Sequence, residues 1–172
     1  MRSTLFLTGL TLALMSGASL AEEKRELGSH EHGAATLQVA IEGSMVEMAI
    51  AIPGESIVGF EHAAETDEQK AAVTAETERL GKPMDLFTLP EAAGCEVASA
   101  EVELHQEGDH NEFEAEYALT CADTGAVTTI QTKLFEMYPE LEEIEVEYAT
   151  PGGQGAAELE ADSPALTLPS TS

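Results

Sequence analysis

The sequence predicts an α+β fold: a mostly antiparallel sheet built from hairpins, with one main helix. Three observations predict it. Apolar and polar residues alternate in several separate runs, the period of a half-buried strand. Turn signals such as Gly43-Ser44 and Pro53-Gly54 punctuate those runs at hairpin spacing. A single longer stretch, Thr66 to Leu80, carries helix start and stop signals instead.

Met1 to Ala21 has the form of a cleaved signal peptide. Arg2 supplies the basic n-region, Leu5 to Met15 the apolar h-region, and Ser19-Leu20-Ala21 the small residues at a cleavage site. The apolar run is too short for a comfortable membrane span, and no other stretch could cross a bilayer. No cysteine follows closely enough to accept a lipid. The expectation is an exported chain starting at Glu22, with residues 22–172 forming one soluble domain and no membrane insertion.

Ala35 to Glu42 alternates, with Leu37, Val39 and Ile41 on one side. Gly43-Ser44 turns the chain, and Met45 to Ile52 forms the second strand of a hairpin, ended by Pro53-Gly54. Thr66-Asp67-Glu68-Gln69 is a capping box that opens the helix; Gly81 and Pro83 stop it after Leu80. Asp67 and Glu68 suit the positive end of the helix dipole. Pro83 to Leu89 can form a further short turn of helix.

A second hairpin follows, Val97 to Leu104 with Glu112 to Cys121. Val102 and Leu104 mark one inward face; Phe113, Ala115, Tyr117 and Leu119 mark the other. Gln106 to Asn111 forms the polar tip. Export to an oxidising compartment favours a disulfide between Cys95 and Cys121 over two free buried thiols. The loop it closes, about 25 residues, is worth about 3.5 kcal/mol in loop-closure entropy. Cys95 opposite Cys121 sets odd residues against odd ones, whereas the apolar faces want even against odd. A β-bulge, or a cysteine just outside the ladder, reconciles them.

Ala126 to Gln131 is a strand candidate, Leu134 to Tyr138 a helical turn before Pro139, and Ile144 to Tyr148 a strand with acidic outward positions. Pro151 to Gly155 reads as a loop, Glu158 to Leu168 as an edge strand, and the last four residues as frayed. There are no internal repeats.

The formal charge is −26, which argues against nucleic acid and anionic membranes as partners. Such acidity fits a solvated surface adapted to salt; it also draws in divalent cations. No motif supports an enzyme. A Gly-x-Ser-x-Gly elbow is missing, the 152–155 glycines lack the lysine of a phosphate cradle, and carboxylates are too abundant for any pair to stand out as a dyad.

Histidine carries the chemistry. His30 and His32 sit at i and i+2, so an extended backbone points both imidazoles to one side. Neutral imidazole is a good ligand for zinc, copper and nickel. The spacing is not that of the metalloprotease helix, which needs His-Glu-x-x-His. His62 lies on the connection between hairpin and helix and is a third candidate ligand, with Glu61 or Glu65 nearby. His105, Asp109 and His110, with Glu107, cluster at the tip of the second hairpin, where the two histidines come near each other across the loop neck. That tip lacks the alternate oxygen ligands of a calcium EF-loop. Each of these groups is also compatible with an ordinary exposed polar segment.

The string His-Glu-His-Gly-Ala-Ala-x-Leu-x-Val-Ala-x-Glu-Gly (30–43), followed by Ile57-Val58-Gly59-Phe60-Glu61-His62, resembles the ZrgA-type family of periplasmic zinc-regulated proteins. Thr66 to Lys70, Leu89-Pro90-x-Ala-x-Gly-Cys95, Glu112-Phe113-x-Ala-x-Tyr117-x-x-x-Cys121 and Pro151-x-Gly-Gln-Gly155 extend the resemblance over nearly all of the chain after the leader. It implies zinc binding in the periplasm in support of zinc uptake, beside the binding protein of a zinc ABC importer. It also implies His30, His32 and His62 as zinc-site positions and a Cys95–Cys121 disulfide. The family often carries a long His- and Asp-rich loop between its cysteine-bearing strands. This chain keeps only His105, Asp109 and His110 there, which favours one structured site over a multi-ion reservoir.

The resulting expectation is a periplasmic zinc-binding protein, with other divalent transition metals as competitors for the site. Its rival is an acidic, salt-adapted structural or adaptor module whose histidines are incidental. A zinc hydrolase would need an open coordination position and a base, for which Glu31 or Glu61 would have to serve.

Overall fold

The structure, a computed structural model, describes residues 33–169. The expected leader, the start at Glu22, the final frayed residues and the pair His30 and His32 lie outside that range.

The first hairpin forms as expected. β1 (Ala34–Glu42) and β2 (Met45–Pro53) pair antiparallel around Gly43-Ser44, and Gly43 takes the positive φ of 59° that the first position of a II′ turn requires. β2 then runs directly into α1 (Gly54–Val58), a single turn that ends on Gly59 at φ 77°. α2 (Asp67–Leu80) begins at the capping box: the Thr66 hydroxyl accepts from the Gln69 N–H, and the Gln69 side chain accepts from the Thr66 N–H. Pro83 is the first residue of α3 (Pro83–Leu86), where its missing N–H costs nothing; β3 (Phe87–Thr88) follows.

β4 (Cys95–Glu107) and β5 (His110–Cys121) form a hairpin longer than expected. The segment from Gln106 to Asn111 is not a polar loop. Glu107 pairs with His110, leaving only Gly108 and Asp109 as a two-residue turn with Gly108 at φ 63°. The Gln106 amide tightens it by donating to the His110 carbonyl at 2.9 Å and the Gly108 carbonyl at 3.1 Å.

β6 (Thr129–Thr132) starts later than expected, because Thr124–Ala126 winds into a 3₁₀ turn first. α4 (Leu134–Met137) is the anticipated helical turn before Pro139. β7 (Glu143–Thr150) and β8 (Gly153–Glu160) turn at Pro151-Gly152 alone. Gly153 to Gly155 is thus strand, not loop. A side chain at Gly155 would lie 2.5 Å from the Tyr148 hydroxyl, so it would have to displace that ring. The expected edge strand 158–168 splits between the end of β8 and β9 (Ala165–Thr167).

Among the described residues two sheets form. The larger has strand order β4-β5-β2-β1-β7-β8, and the smaller β3-β6-β9. Antiparallel pairs dominate, but β1 and β7 run parallel, so the sheet is not built from hairpins alone. Strand accounts for 50% of the described residues and helix for 24%. The sheet therefore outweighs the helical part by more than the expected class implies.

One face of the large sheet is apolar. Leu37, Val39, Val46, Ile50, Ile52, Phe113, Leu119, Ile144 and Val146 are all almost fully buried there. They share one cluster with Leu80, Leu86, Phe87, Ile130, Leu134 and Leu166 from the helices and small sheet. Each such burial is worth about 1.5–3 kcal/mol. Leu104 lies on the inward face but stays 37% exposed, because β4 is an edge strand. Two tyrosines fasten the second layer. The Tyr117 hydroxyl donates to the Leu80 carbonyl at 2.9 Å, and that of Tyr138 to Glu76 at 2.7 Å. Burial pushes both phenols well above the usual tyrosine range; the Glu76 hydrogen bond and charge add to this at Tyr138, with Arg79 opposing. No helix among the described residues is long and apolar enough to cross a membrane.

Candidate metal centre

The register of the large sheet determines which histidines can meet. His105 on β4 stands opposite Glu112 on β5, and Glu112 opposite Pro53 on β2. Thr36 on β1 pairs with Ala51; two residues further along, Ala34 comes level with Pro53. One end of the sheet therefore gathers the turn end of the β4–β5 hairpin, the junction of β2 with α1, and the entry of the chain into β1.

The connection after α1 returns to this end. The Asn111 side chain donates from Nδ2 to the His62 carbonyl at 3.0 Å. Beside it, His110 Nδ1 lies 3.0 Å from Glu61 Oε2. Residues from the expected hairpin tip and the expected loop ligand thus come together, although far apart in sequence. The His62 ring stacks on Phe60, with centroids 5.3 Å apart. Its Nδ1 lies 2.8 Å from the Ala63 carbonyl. A carbonyl can only accept, so Nδ1 is the donor of this contact, and Nε2 is the nitrogen left for a metal.

His105 belongs to the same strand pair but not to this contact. Its Nε2 lies 3.1 Å from Glu114 and 3.4 Å from Glu103, all three well exposed. His105 and His110 are not opposite each other; their cross-strand pairs are separated by the Gln106–Asn111 pair, which leaves the two histidines on a diagonal of one face, with Cα atoms about 7–8 Å apart. Asp109 sits in the exposed turn beyond them.

The carboxylates on the outward face are arranged at a cost. Glu101 stands opposite Glu116 and Glu103 opposite Glu114. Like charges directly across a ladder are destabilising, and a cation beside them offsets this. His105 sits at the end of that row.

Among the described residues, no three or more His, Cys, Asp or Glu side chains stand together as a metal centre. What the fold provides is a set of donors around one end of the sheet: His62 and His110 joined through Glu61 and Asn111, with His105 alongside. Glu103 and Glu114 were legible as partners of His105 from strand parity. Asn111 carried no signal in the sequence.

The predicted disulfide is present: Cys95 is bonded to Cys121, and the described residues contain no free cysteine. The pair staples the far end of the same hairpin and takes both thiols out of any ligand set.

A family model described as "ZrgA family zinc uptake protein" matches residues 29–168. No curated protein matches the chain.

Proposed function

The chain belongs to the ZrgA family of zinc uptake proteins, and from that membership we propose that it is a soluble periplasmic zinc-binding protein assisting zinc acquisition or buffering. Zinc is its cargo. The candidate ligands are His30, His32, His62 and His110, with His105 and Asp109 at the hairpin turn and Glu61 between them.

The observation that supports this reading is the sheet register. The chain enters β1 two residues after His32, at the sheet end where Glu61-His62 and His110 already touch. Among the described residues, donors of the kind zinc prefers, imidazole and carboxylate, come together there from two separate parts of the sequence, Glu61-His62 and His110. The reading includes export by a cleaved leader ending at Ala21 and a single zinc-binding domain over 22–172. It also includes transient docking to the binding protein of a zinc ABC importer. Zinc binding and release, not catalysis, is the activity of this reading.

The test is zinc titration of residues 22–172 by calorimetry against a competing chelator, in salt that screens diffuse carboxylate binding. His30→Ala/His32→Ala, His62→Ala and His110→Ala run beside it. One tight site, weakened by each variant, is the expected result. Weak binding indifferent to all three would leave the acidic, salt-adapted surface as the better account.

A further inference from the structure

We infer that Asn111 is the positioning residue of the histidine-rich sheet end, an inference that rests on the zinc-site reading above. Its amide holds the Glu61-His62 segment against the hairpin, so that donors from two distant segments act as one site.

Three features of Asn111 carry this. It occupies an inward position of β5, in line with Phe113, Ala115 and Tyr117, and is only 3% exposed. Its Nδ2 makes a single hydrogen bond, to the carbonyl of His62, across 49 residues of sequence. Its Oδ1 is buried with no hydrogen-bond partner. The amide cannot flip to relieve this, because the His62 carbonyl accepts only a donor.

A buried acceptor left unsatisfied lowers stability, and an apolar side chain of the same shape would remove the loss. His62 is itself exposed, so its carbonyl could turn to water instead. Asn111 is therefore poorly explained as a contribution to folding. Its amide does determine where the Glu61-His62 backbone lies relative to His110, whose ring pairs with Glu61 on the adjacent position of β5.

The rest of the fold makes room for this amide. Gly54, the first residue of α1, is packed so closely against Asn111 that a Cβ there would overlap the Oδ1 atom. A larger residue at 54 would have to displace the amide that holds His62.

The experiment uses Asn111→Leu, which keeps the shape and removes the donor, in residues 22–172. Urea unfolding reads the fold and competition calorimetry reads zinc. The expected result is an unchanged or higher urea midpoint with zinc affinity about 10–100-fold weaker, the usual loss when a residue that orients a ligand is removed. Adding His62→Ala to Asn111→Leu should then cost far less than His62→Ala costs alone. Wild-type affinity in Asn111→Leu, or fully additive losses, overturns the inference.

Hydrogen exchange of the metal-free protein separates this outcome from failure of the zinc reading. If the wild-type chain binds no zinc tightly, faster exchange in residues 60–63 of Asn111→Leu still supports positioning, and unchanged exchange refutes it. Gly54→Ala reaches the same amide from the other side and is read the same way if Asn111→Leu does not fold. If neither variant folds, Asn111 is structural and the inference fails.

Discussion

Cys95 and Cys121 lie directly opposite one another in the β4–β5 ladder, and two residues later Val97 still faces Leu119 in the same phase. Ala98 then has no partner, and from Ser99 onward the strand is shifted by one, so that Val102 faces Ala115 and Leu104 faces Phe113. The bulge allows the disulfide and the apolar face to coexist on one strand. It also sets the outward face of everything beyond it, His105 included.

Deleting Ala98 should remove the bulge and keep every pair, because the residue lost is the one without a partner: Cys95, Val97, Val102 and Leu104 would then face Cys121, Leu119, Ala115 and Phe113 in a single phase. Thiol titration of the denatured variant is expected to find no free thiol, as in the parent. Two free thiols in that variant would mean that the bulge does not set the phase.

The disulfide should matter for stability more than for zinc. It closes a loop with a sequence separation of 26, and replacing both cysteines by alanine should cost about 3.5 kcal/mol in urea unfolding. Zinc affinity should stay close to that of the parent, because the histidine end is at the opposite end of the hairpin. A large loss of zinc with a small loss of stability would contradict this arrangement.

The ion pairs of His105 with Glu103 and Glu114 are exposed to solvent. Such pairs contribute about 0–1 kcal/mol. His105→Ala should therefore leave the urea midpoint almost unchanged, so that any loss of zinc in that variant reports on ligation. Marked destabilisation would show a structural role that the geometry does not suggest.

Acidification should weaken zinc binding, because protons compete for the imidazole lone pairs. Calorimetry at about pH 7.5 and about pH 5.5 brackets the usual imidazole range; equal affinity at both would count against histidine ligation.

Alkaline unfolding should follow Tyr117 and Tyr138. Both folded-state values are raised, by burial first and at Tyr138 also by Glu76. The folded protein holds these protons more tightly than the unfolded chain does. Their contribution is full below the ordinary tyrosine value of about 10 and is lost as pH rises above it. Urea midpoints across that range should fall, with a shallower fall in Tyr138→Phe; identical slopes would dismiss Tyr138 as a contributor.

Much of the fold was legible because its signals are local. Alternation in 35–42 and 45–52 gave the first hairpin, the Thr66–Gln69 box gave the start of α2, and the clash of phases between cysteines and apolar residues pointed to a bulge. Other elements were not legible. α1 is a single turn, too short for any periodicity. The parallel pairing of β1 with β7 joins residues about a hundred positions apart. Gly153 to Gly155 looked like a loop because nothing local announces Tyr148 above Gly155.

The candidate site divides in the same way. By itself the sequence determined the candidate donor residues, the family resemblance and the disulfide, since composition, spacing and motif order are properties of the chain alone. Only the tertiary structure decided that Glu61 and His62 meet His110 and Asn111. That meeting depends on β2 lying next to β5 in a register that levels Pro53 with Glu112. Register is set by burying one face of every strand at once, a condition that no segment of the sequence can satisfy or reveal on its own.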